Sequence, residues 1–267
     1  MNEIVTVVYK EDLDLFKLYV KFLEKNLTDI CNVNIILNES ENNLWQFTDF
    51  EVDVEELFES SRHSYRVWTQ QEILKTEVNA VGWVVQQLLK ILIPINRDYI
   101  VLDSKDLIVK PCSYETLKKT QNSSVLQLMW KDWRNSIHKK MKINTETYNN
   151  PITPRFIEIL IRDQIFKKFK DTNEFIQWFA KHKLPSEFIL YDCIREINDY
   201  NVIDRFERND IIKIWYKEDY TKNMLYNLPE ETFIVGIHNR VFLENQTEIE
   251  QWAKKWLNID YTASSDL

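Results

Sequence analysis

The sequence predicts an α/β protein with a mixed, mainly parallel central sheet flanked by helices and a helix-rich C-terminal half. Three observations carry this. The chain opens on a strand, an amphipathic helix and a second strand, at residues 4–9, 12–27 and 32–37. An apolar run at 99–102 stops on a turn crowded with charge, Asp103-Ser104-Lys105-Asp106. From residue 153 onward helical periodicity dominates, relieved by two late apolar runs.

Taken in order, Ile4-Val-Thr-Val-Val-Tyr9 has the β-branched and aromatic composition of a strand. Residues 12–27 place Leu15, Leu18, Tyr19, Phe22 and Leu23 on one helical face, and 32–37 form the next strand. Such a unit implies a parallel pair joined by a crossover. Residues 38–62 are polar, acidic and weakly periodic, with a short strand at 44–47 and a short helix or strand at 54–58. Arg62, His63 and Arg66 form a small basic cluster that reads as a solvated loop, with contact to phosphate as the alternative, and 69–79 look helical. Helix 81–92 follows, with Val81, Val84, Val85, Leu88, Ile91 and Leu92 as its core face. Trp83, Gln87 and Lys90 fall on its other side with Gln86 close by, more polar chemistry than a solvated face needs.

After strand 99–102 a second apolar run, 107–109, ends at Lys110-Pro111. Residues 113–119 read as a short helix, 125–130 as a strand or helix start, 132–141 as a helix and 144–154 as a loop. Thr153-Pro154 supplies an N-cap and a first-turn proline for a helix running to about 169. Asp171 or Thr172 caps a helix over 173–182, and another begins at Ser186 after Pro185. Residues 210–216 and 231–236 are late strands. A C-terminal helix, 247–257, points Ile249, Trp252, Ala253 and Trp256 inward, and 261–267 read as a frayed tail. No repeat or linker divides the 267 residues, which read as one domain.

Composition removes several function classes. The only glycines are Gly82 and Gly236, so neither a dinucleotide-binding fingerprint nor a P-loop is present. A net charge of −8 argues against a nucleic-acid partner. Cys31, Cys112 and Cys193 lack metal or disulfide spacing, which suits a reducing compartment. The start is acidic and no apolar run approaches the length of a membrane span, so a cytoplasmic protein without a transmembrane segment is expected.

Four stretches resemble a family of bacterial and phage glycosyltransferases with the GT-A fold. They are Gly82-Trp-Val-Val-Gln-Gln-Leu-Leu-Lys90, Tyr99-Ile-Val-Leu-Asp-Ser104, Ser186-Glu-Phe-Ile-Leu-Tyr191 and Gly236-Ile-His238. Asn150-Pro-Ile-Thr-Pro154 resembles a segment often found between the second and third. The resemblance implies a nucleotide-sugar-binding half over about 1–120, an acceptor half over about 121–258 and a tail at 259–267. It implies a nucleoside-diphosphate-sugar donor, contacted by Tyr9, Trp83, Gln86, Gln87, Lys90, Asp103 and Ser104, and a carbohydrate or glycolipid acceptor. A nucleotidyltransferase of related fold would need a Gly- and Lys/Arg-rich turn after the first strand, which Val8-Tyr9-Lys10-Glu11 does not supply.

Transfer of a sugar leaves negative charge on the departing diphosphate, and a cation must meet it. In this family Asp-Ser-Asp commonly holds Mn or Mg. Here the second carboxylate is replaced, giving Asp103-Ser104-Lys105 with Asp106 one place late. Two readings stay open. In one, Asp103, Asp106 and the late His238 hold the metal; in the other, Lys105 supplies part of the charge and transfer is metal-independent. Glu187 and Asp192 are candidates for the base that takes the acceptor's proton. The alternative of another class is a non-catalytic nucleotide-sugar or carbohydrate-binding module of the same fold.

Overall fold

The structure is a computed structural model and describes residues 1–38, 51, 53–119, 131–144, 153–197, 211–221 and 224–258. Its main sheet has five strands in the order β3-β2-β1-β4-β6. These are β1 Asn2–Val8, β2 Cys31–Leu37, β3 Ser64–Thr69, β4 Tyr99–Val101 and β6 Arg155–Ile157. The first four run parallel and β6 lies antiparallel to β4. A second sheet of three strands has the order β5-β8-β7, from Asp106–Ile108, Ile234–Ile237 and Ile211–Ile214. The first half of the chain thus lends β5 to the second sheet, and the second half lends β6 to the first.

The central strands feed a core on each face, because successive side chains of a strand point opposite ways. On one side Ile4, Val8, Val33, Ile35, Leu37, Ile100 and Leu102 pack with α1 (Leu13–Asn26) and the second sheet. On the other, Val5, Val7, Ile36, Tyr99 and Val101 pack with the helices between residues 70 and 92 and between residues 131 and 196. In chain order the helices after α1 are α2 Gln70–Leu74, α3 Gly82–Leu92, α4 Tyr114–Lys119, α5 Lys131–Met141 and α6 Ile159–Phe166. Then come α7 Thr172–Ala180, α8 Glu187–Glu196, α9 Asn239–Glu244 and α10 Gln246–Leu257. Asp171 caps α7 and Ser186 caps α8, each accepting a backbone N–H three residues on.

The structure departs from the expected elements at three places. Residues 64–69 form strand β3, not loop and helix, and only Gln70–Leu74 of the expected helix is helical. In the basic cluster His63 is buried and its Nδ1 accepts the Cys31 amide at 3.2 Å, while Arg66 lies over the Trp68 ring at 3.4 Å. The helix expected from Thr153-Pro154 starts only at Ile159, because Arg155–Ile157 pair with β4 and satisfy their backbone there instead. The expected elements at 44–47 and 125–130, the Asn150–Pro151–Ile152 part of the resemblance and the tail lie outside the described residues. All three cysteines are buried. Among the described residues no helix is long and apolar enough to cross a membrane.

Candidate active site

Strand β4 ends at Val101 and delivers Leu102 to the core and Asp103 to the C-terminal edge of the parallel sheet, where open α/β sheets gather their ligands. Helix α3 runs alongside. Its polar side turns inward: Gln87 and Lys90 are buried, Gln86 is half-buried, and Trp83 at the first turn remains exposed. Tyr9, at the end of β1, donates its hydroxyl to the Gly82 carbonyl at 3.0 Å, and Asn38 donates to the same oxygen at 3.3 Å. The start of α3 is therefore tied to the ends of β1 and β2.

Lys90 is the centre of the arrangement. Its ammonium lies 3.1 Å from Asp103 Oδ1 and 3.6 Å from Glu187 Oε1. Gln87, with its amide nitrogen turned to the carboxylate, donates to Glu187 as well. The Phe188 ring sits 5.3 Å below the ammonium. Burial would pull the Lys90 ammonium below its usual range, but Asp103 and Glu187 outweigh it and hold it above.

One cation cannot balance two buried carboxylates, and the two respond differently. Asp103 is closer and keeps 29% of its side-chain surface. Burial works to raise it, yet Lys90 and Lys213 win and hold it at about 2, so it is ionised. Glu187 keeps only 2% of its surface, and burial pushes it up to about 7 despite Lys90. Near neutral pH it is therefore shared between its acid and carboxylate forms. Two carboxylates on one lysine thus titrate far apart, the pattern that divides acid–base roles in enzyme sites.

A second cluster stands on the neighbouring sheet. Register places Asp106, Gly236 and Lys213 in one row across β5, β8 and β7. Lys213 reaches over Gly236 to ion-pair with Asp106, which also accepts the Thr153 hydroxyl at 2.7 Å. Burial raises Asp106, opposed by Lys213 and reinforced by the charge of Asp103. A Cβ on Gly236 would fall 2.5 Å from Lys213 Cδ and 2.7 Å from Asp106 Oδ1, so any side chain there would force the pair to shift.

The remaining expected site residues are placed as follows. Lys105 pairs with the buried Asp12 at 3.0 Å, and Ser104 is buried. His238 is half-buried and its Nδ1 accepts the Arg240 amide at 3.2 Å, capping α9. Asp192, one and a half turns beyond Glu187, is buried in an ion pair with Arg155. Neither it nor Glu187 opens to solvent as an acceptor-facing base would. The structure thus joins Gln87, Lys90, Asp103 and Glu187 in one network, and sets Asp106 in an adjacent one. Lys213, Thr153, Asp12 and Arg155 were not among the expected site residues. A lysine in the middle of the apolar strand Ile-Ile-Lys-Ile was the one available signal for Lys213.

The metal expected from the resemblance does not fit the described residues. No three of their His, Cys, Asp and Glu side chains converge to hold an ion. Each of the three candidate ligands is already engaged: Asp103 by Lys90, Asp106 by Lys213 and Thr153, and His238 by the Arg240 amide.

No protein-family model matches the chain, and no curated protein matches it. Among solved structures, two of the galactosyltransferase LgtC, one in complex with donor and acceptor sugar analogues, cover 99% of this chain and 100% of their own. Their identity is 10% and their TM-score 0.49. An apo structure of the bifunctional glycosyltransferase WbbM covers 88% of this chain and 45% of its own, at 10% identity and a TM-score of 0.47.

Proposed function

We propose that the chain is a glycosyltransferase that moves a sugar from a nucleoside-diphosphate donor to a hydroxyl of a carbohydrate or glycolipid acceptor. The observation that carries the reading is the Lys90 ammonium, held between Asp103 and Glu187. It unites three of the stretches on which the resemblance rests: the α3 helix, the end of β4 and the start of α8. The fourth, at Gly236, lies in the row that joins Asp106 to Lys213.

In this reading Asp103 touches the donor. It is the partly exposed member of the network, it is ionised, and an ionised carboxylate accepts hydrogen bonds from sugar hydroxyls. Lys90 fixes its direction from behind. Glu187 is a positioning residue in this scheme, since its burial keeps it behind Lys90. The exposed Trp83 offers an apolar face beside the same sheet edge.

The test is incubation with a panel of UDP- and GDP-sugars, with and without Mn, followed by detection of transferred sugar and released nucleoside diphosphate. Asp103→Asn is expected to lower turnover by roughly a hundredfold or more, the scale of losing one preorganised electrostatic contact. No turnover and no rise in melting temperature with any nucleotide sugar would defeat the reading. Binding without turnover across an acceptor panel would favour the non-catalytic module.

A further inference from the structure

We propose that the donor's diphosphate is held without a divalent ion, by the ammonium of Lys105 together with the Nε2–H of His238. This rests on the glycosyltransferase reading and deepens it.

Three carboxylates at this end of the molecule each have a lysine partner. Asp103 has Lys90 at 3.1 Å, Asp12 has Lys105 at 3.0 Å, and Asp106 has Lys213. A divalent ion is bound by carboxylate charge that a fixed ammonium already neutralises here. The Asp106 pair is built into the sheet, since the bare Gly236 between the two strands is what allows Lys213 to reach across.

His238 is committed in a second way. Its Nδ1 lone pair accepts the Arg240 amide, so the proton of the neutral ring sits on Nε2. A metal bound at Nε2 would need that proton moved to Nδ1, where it would face the Arg240 N–H. The geometry therefore makes Nε2 a donor, which suits a phosphate oxygen and not a metal ion.

Lys105 stands beside it. The Ile237 amide donates to the Lys105 carbonyl at 3.1 Å, which joins the turn after β4 to the strand that ends at His238. Lys105, Arg240 and Asp12 all act electrostatically on the His238 ring. The Lys105 side chain keeps 26% of its surface while Asp12, at 4%, is closed off behind it. Asp12 therefore anchors the ammonium and leaves its remaining N–H groups open to an anion.

The experiment measures binding of UDP, GDP and ADP by thermal shift and calorimetry, in EDTA and in Mn. One diphosphate is expected to bind equally in both. Lys105→Gln is expected to weaken it roughly tenfold to a hundredfold, as for loss of one charge-assisted hydrogen bond, with no effect on the matching nucleoside. The double variant Asp12→Asn/Lys105→Gln leaves no buried carboxylate without its partner. It should keep the parent melting temperature and show the same selective loss. Binding only in Mn, or undiminished binding to both variants, overturns the proposal and leaves glycosyl transfer standing. Failure of every nucleoside diphosphate to bind, with or without Mn, overturns the donor reading itself.

Discussion

Replacing Glu187 by Gln tests the charge balance around Lys90 directly. Burial raises Glu187 from the usual 4.5 to about 7, so the folded chain binds a proton that the unfolded chain has already lost between these values. Stability therefore falls as pH rises through this window. At one pH unit per 1.36 kcal/mol, the ionised buried carboxylate costs about 3 kcal/mol once pH exceeds 7. Glutamine fills the same space and keeps an oxygen facing Lys90, but it cannot ionise. We expect Glu187→Gln to match the parent within about 1 kcal/mol at pH 5 and to be more stable by about 2–3 kcal/mol at pH 8. Urea unfolding at half-unit pH steps reads both curves. The parent's should slope downward between pH 5 and 7, and the variant's should be flatter. A variant that is less stable than the parent at pH 8 would refute the reasoning. It would mean that Glu187 is fully charged and compensated, with Lys90 serving both carboxylates.

Three further outcomes follow from the same geometry. Lys90→Met strands Asp103 and Glu187 without their cation, and should cost about 3–5 kcal/mol at pH 8 and less at pH 5, where Glu187 is neutral; denaturant melts at the two pH values check it. Gly236→Ala pushes a methyl into the Lys213–Asp106 contact and should destabilise by about 1–3 kcal/mol, read as a fall in melting temperature. Arg155→Met leaves the buried Asp192 carboxylate without its guanidinium, at about 3–5 kcal/mol, and Arg155→Met/Asp192→Asn should recover most of that loss in the same assay.

The helix over 82–92 was legible as more than a core helix because its polar side carried Gln87 and Lys90, and the structure turns that side onto Glu187 and Asp103. β3 was not legible. Its exposed Tyr65 and charged Arg66 resemble a loop, although edge strands routinely carry such residues on their open side. β6 was hidden by local chemistry: Thr153-Pro154 is a sound helix opening, and pairing with β4 overrode it. The Asp106–Lys213 contact joins residues 107 apart in the chain. No spacing rule reaches that far; only the common register on β8 brings them together.

By itself the sequence determined the parallel opening unit, the carboxylate at the end of β4 and the polar face of α3. These depend on periodicity and on neighbours a few residues away, which the chain displays directly. Only the tertiary structure decided the partners: one lysine shared by Asp103 and Glu187, a second reaching Asp106 over a bare glycine, and a histidine fixed as a donor. Ion pairing and proton placement depend on distances of 3–4 Å between segments remote in sequence, and on how much water burial removes. Those quantities do not exist until the sheets have closed.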